Sequence, residues 1–81
     1  MKMKIGQMNA LMLNNDFTVL STEQQRNHLK CSKSSLQMYY LVIRYLRTHS
    51  VDISKYRNLL CNRYNLVQIL ERENIPLSST S

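Results

Sequence analysis

Apolar positions in this chain gather into one long stretch and several short ones. Residues 34–49, SSLQMYYLVIRYLRTH, contain the longest apolar run, 38–43. Leu36, Tyr39, Ile43 and Leu46 recur at the 3, 4, 3 spacing of one helical face, with Val42 beside them. Gln37, Arg44, Arg47 and Thr48 collect on the opposite side. The aromatic and β-branched content of 38–46 also suits a buried strand. The stretch exceeds a usual strand length, however, and neither Gly nor Pro interrupts it. Ser32, Ser34 and Ser35 stand just where side-chain oxygens can cap unpaired amides. The pattern therefore predicts a central helix, and at ~1.5–3 kcal/mol per buried side chain it is the main source of stability.

The flanking segments are shorter. Residues 1–16 form a Met-rich N-terminal arm in which Ile5, Met8 and Leu11 or Met12 follow a helical stripe, weakened at its start by Gly6. Such a segment either closes the core or grips a partner, with Met3, Ile5, Met8, Leu11 and Met12 as its contact residues. Asn14, Asn15 and Asp16 signal a turn, after which 17–20 reads as a short extended segment. Ser21 and Gln24 have capping-box spacing, so a polar helix is expected from about Thr22 to Lys33, anchored by Leu29. Asp52 or Ser54 can cap the segment after His49. Tyr56, Leu59, Leu60, Leu66, Val67 and Leu70 then share an apolar face, but a continuous helix would set Arg63 in its middle. A break at 62–65 is expected, with Asn65 capping a last helix to about Asn74. Pro76 prevents continuation. The expected fold is all-α, a bundle of four to five short helices around 34–49. It occupies residues 1–77 as one domain, with 78–81 a disordered tail.

Charge sharpens this picture. Of the 11 lysines and arginines, eight lie between residues 24 and 63, where Asp52 is the only acid. A basic middle suits nucleic acid or an acidic protein surface. Two cysteines, Cys31 and Cys61, are too few for a disulfide framework. No apolar run resembles a secretion signal or approaches a membrane span, so a cytoplasmic chain with free thiols and no membrane contact is expected.

Enzyme chemistry finds little footing. His28 and Cys31 lie three apart, but His49 and Cys61 lack the paired spacing of a zinc site. Gly6 is the only glycine, which rules out a glycine-rich phosphate loop, and the acids are scattered. Neither metal, cofactor nor catalytic residue is expected. The preferred reading is a small regulator of transcription, working as a homodimer. It would bind DNA phosphates through Arg26, Lys30, Lys33, Arg44 and Arg47 and read bases with Ser34, Ser35 and Gln37. The alternative is a regulator of the antirepressor or anti-activator kind. It would dock the Met-rich arm or a tyrosine face, Tyr40 included, onto an apolar or acidic surface of a larger transcription factor.

Residues 29–36, LKCSKSSL, resemble the turn and start of the recognition helix in helix-turn-helix regulators. Leu29, Ser32 and Leu36 match the first-helix apolar, post-turn serine and recognition-helix core positions. Arg26 stands where that family has a small residue, and Lys30 where it has glycine. The order of 17–20, a helix, then 34–46 also resembles a ribbon-helix-helix repressor, a dimer whose ribbon, here Thr18 and its neighbours, reads the major groove. Either resemblance implies a helical DNA-binding regulator.

Overall fold

The computed structural model describes residues 3–76, so the tail expected at 78–81 lies outside the described residues, as does Leu77. The described residues are all-α. Five α-helices, α1 (Ile5–Met12), α2 (Asn15–Thr18), α3 (Thr22–Leu29), α4 (Lys33–Thr48) and α5 (Arg63–Arg72), are joined by a 3-10 turn at Ile53–Tyr56. Helix α4 is the axis of the molecule. Its Leu36, Tyr39, Val42, Ile43 and Leu46 are buried, the stripe that the spacing predicts. Around them pack Ile5 and Met8 from α1, Phe17 from α2, Leu29 from α3, and Leu66, Ile69 and Leu70 from α5.

Every helix start after α1 is capped by a side-chain oxygen. Ser21 accepts from the Gln24 amide while Gln24 Oε1 accepts from the Ser21 amide, which completes the capping box. Ser32, not Ser34 or Ser35, caps α4 by accepting from the Ser35 amide at 3.2 Å. Asp52 caps the 3-10 turn through the Ser54 amide. Helices α3, α4 and α5 stop by one device. Lys30, Ser50 and Asn74 adopt positive φ of 53°, 56° and 60°. The amide of the next residue then reaches back five positions, Cys31 to Arg26 O, Val51 to Leu46 O and Ile75 to Leu70 O. Lys30 and Ser50 are neither glycine nor asparagine, so these two left-handed positions carry strain.

Three local expectations are corrected. Residues 17–20 are not extended: the Asn14 side chain accepts from the Asp16 amide and starts the single turn of α2, which aims Phe17 into the core. The ribbon implied by the ribbon-helix-helix resemblance is therefore not formed at Thr18. The chain does break before Arg63, but Asn62, not Asn65, is the cap. Asn62 Oδ1 accepts from the Asn65 amide at 2.7 Å, and the Asn65 side chain donates to Leu60 O. The last helix ends at Arg72 rather than Asn74.

The Met-rich arm takes the first of its two expected roles and closes the core. Met3, Ile5 and Met8 lie in the core and are not available to a partner, while Leu11 and Met12 pack half-buried against it. Backbone bonds hold it there. The Ile5 amide donates to Leu59 O, the Gly6 amide to Arg57 O, and the Cys61 amide to Met3 O. A Cβ on Gly6 would sit 2.8 Å from the Arg57 Cβ and 3.2 Å from its carbonyl oxygen, so this close approach needs glycine.

Candidate nucleic-acid interface

Helix α4 is about 24 Å long at 1.5 Å per residue. Its buried stripe leaves an outer ridge, and Lys33, Gln37 and Arg44, four and then seven positions apart, fall within ~40° of one another on it. All three are exposed. The Lys33 and Arg44 side chains make no hydrogen bond or ion pair among the described residues, and neither does Lys30 in the turn before α4. Ser34 is exposed beside this ridge; Ser35 is half-buried, its hydroxyl accepting from Ser32.

Two other predicted contacts are less available. The Arg47 guanidinium donates to Asn9 Oδ1 at 2.7 and 3.1 Å, tying α4 to α1. Arg26 is half-buried, and its Nε is enclosed with no acceptor. The remaining cations divide in the same way. Lys55 pairs with Glu73 at 3.3 Å, and Arg57 donates to Ser54 O. Of the cations without a hydrogen bond or ion pair among the described residues, Lys4 and Arg72 lie at the start of α1 and the end of α5. Lys30, Lys33 and Arg44 instead gather on α4 and its approach, joined by a residue that sequence reasoning did not place at the site, Arg63.

Arg63 opens α5 and closes a groove of about 310 Å³ with Ser34, Gln37, Met38 and Leu41 of α4. Tyr64 beside it is 71% exposed. The signal for Arg63 was present as a conflict, a guanidinium in the middle of an apolar face. The Asn62 cap resolves it by starting a new helix and turning Arg63 outward. Both α4 and α5 carry a cation and no acid in the first turn. Amide dipoles already make that end positive, so these charges disfavour the helices locally and raise the potential over the groove.

Tyr40 does not offer a free hot spot. Its hydroxyl donates to Gln25 Oε1 at 2.8 Å, and burial raises its pKa while that bond opposes the rise. Gln25, itself buried, donates to Phe17 O and Leu20 O and so links α2, α3 and α4. The Cys61 thiol is a poor nucleophile: burial pushes its pKa up to about 12, and its Sγ lies 3.8 Å from Tyr39 O. Among the described residues no three His, Cys, Asp or Glu side chains converge on a metal position, and no helix is long and apolar enough to cross a membrane.

No family model, curated protein or solved structure matches this chain.

Proposed function

We propose that this chain is a small DNA-binding regulator that lays the outer ridge of α4 along duplex DNA. The observation that carries the reading is the partition of the cations. Arg47, Lys55 and Arg57 are bonded within the fold, whereas Lys30, Lys33 and Arg44, which are not, gather on one helix and its approach. Lys30, Lys33 and Arg44 would contact phosphates, while Gln37 and Ser34, exposed between them, would face base edges. The turn from α3 to α4 suits the helix-turn-helix resemblance, although α4 and α5 end by the same device. Lys30, at the position where that family has glycine, holds the left-handed conformation that glycine takes without strain. The protein-docking alternative loses ground because Met3, Ile5, Met8 and Tyr40 are engaged within the fold.

Titration of labelled duplex at several salt concentrations tests the reading. Removing one phosphate contact should flatten the log–log salt dependence by about 0.9, so Lys33→Ala/Arg44→Ala should flatten it by roughly 1.8 without lowering the melting temperature. An unchanged slope would remove these side chains from the interface. Absence of wild-type binding at low salt, with a stoichiometric protein co-purifying instead, would favour docking on a protein factor.

A further inference from the structure

The groove between α4 and α5 carries the reading further, because its lining is unlike a phosphate site. Three of its five lining residues, Ser34, Gln37 and Arg63, bring a hydroxyl, an amide and a guanidinium, while Met38 and Leu41 supply an apolar wall. A phosphate oxygen against a thioether and an isobutyl group would lose hydration without gaining donors. A base presents acceptors on its edge and an apolar ring plane beside them, so the mixed lining suits it. No carboxylate lines the groove, and the Arg63 side chain makes no hydrogen bond or ion pair among the described residues. Its guanidinium is therefore free to donate. Arginine's planar fork matches two acceptors side by side, and on the major-groove edge only guanine offers such a pair, O6 and N7.

We propose that Arg63 is the specificity-determining residue of this protein and that the groove it forms with Ser34 and Gln37 takes the major-groove edge of a guanine. The inference rests on the DNA-binding reading of the α4 ridge. On this division of labour, Lys33 and Arg44 set affinity and salt dependence, and Arg63 sets preference at one base pair.

The test selects duplexes from a randomised pool with the wild-type chain and then measures affinities by fluorescence anisotropy at several salt concentrations. The selected site should contain a guanine. Substituting 7-deazaguanine there, which removes the N7 acceptor, should weaken wild-type binding, and this comparison needs no variant. Arg63→Ala and Arg63→Lys should each reduce discrimination at that position; loss of one bidentate pair corresponds to about 5- to 150-fold. Their salt slopes should match wild type, and their melting temperatures should not fall because Arg63 is exposed. If Arg63→Ala instead weakens all duplexes equally and flattens the slope by about one, Arg63 touches phosphate and this proposal fails while the DNA reading stands. Selection of no preferred guanine, or indifference to 7-deazaguanine, fails it in the same way. Absence of any duplex binding by wild type overturns both.

Discussion

Helix α4 and the N-terminal segment that ends in α1 both deliver fully buried side chains to one core, yet they are held by different means. In α4 the order is local. A sixteen-residue helix, capped by Ser32 and closed past Ser50, displays its own apolar stripe, and the rest of the chain packs onto it. Residues 3–8 have no comparable autonomy. Helix α1 has eight residues, too few to stand alone. It is positioned by amide bonds to Arg57 and Leu59 and by the bond from Cys61 to Met3, more than fifty residues away in sequence. One region organises the fold and the other depends on it. Damage to them should therefore spread differently.

The largest expected effect comes from placing a charge in the organising region. Ile43 is fully buried, so Ile43→Asp sets an unpaired carboxylate among apolar groups and should cost more than about 4 kcal/mol, comparable with the whole stability of a domain this size. Circular dichroism should show loss of helix throughout at room temperature. A cooperative melt near that of wild type would mean that α4 is not the axis of the core.

Gly6→Ala tests the dependent region. Alanine is the better helix former by about 1 kcal/mol, but its Cβ would meet the Cβ and carbonyl oxygen of Arg57. Overpacking of this kind costs ~1–3 kcal/mol, and because the obstacle includes backbone, the clash should outweigh the propensity gain. Native-state hydrogen exchange should show faster exchange at Ile5, Gly6 and Cys61, with the amides in the middle of α4 still protected. Equal acceleration across α4 would erase the distinction between the two regions.

The same contrast explains what could be read from the residues alone. Helix α4, its buried face and its charged ridge were legible because amphipathic spacing over four turns is a local property. The capping box at Ser21 and the break before Arg63 were legible for the same reason. The role of residues 3–8 was not, because a methionine stripe is identical whether it meets a partner or residues 57–61 of its own chain. Phe17 misled because aromatic and β-branched neighbours favour an extended backbone, whereas the Asn14 cap and the pull of the core set a helical turn. At the site, Lys33, Gln37 and Arg44 could be placed on a face from spacing. The engagement of Arg47 by Asn9 and the arrival of Arg63 beside Ser34 depend on tertiary packing.

The smallest effect concerns the anchor that presents residues 57–61 to the arm. Tyr56 donates to Glu73 Oε2 at 2.6 Å and Lys55 to the same oxygen at 3.3 Å, fastening the 3-10 turn to the end of α5. The hydrogen bonds from Tyr56 and then Lys55 lower the Glu73 pKa below its ordinary 4.5. A depressed carboxylate contributes stability that is complete above its unfolded value and is lost as the pH falls through the lowered native one. On the alkaline side the signs reverse. The bond to Glu73 raises the pKa of both Tyr56 and Lys55, so their contribution is present below the ordinary values near 10 and is lost as the pH climbs through the raised ones. Wild type should therefore exceed Glu73→Gln in stability by a modest margin at neutral pH, and the gap should close at both extremes. Exchange at Ile5 and Cys61 should quicken before exchange in α4 as acid is added, because the arm's backbone partners come directly after this turn. If the difference between wild type and Glu73→Gln is the same at pH 3 and pH 7, the Tyr56–Glu73–Lys55 contact does not hold the arm's partner in place.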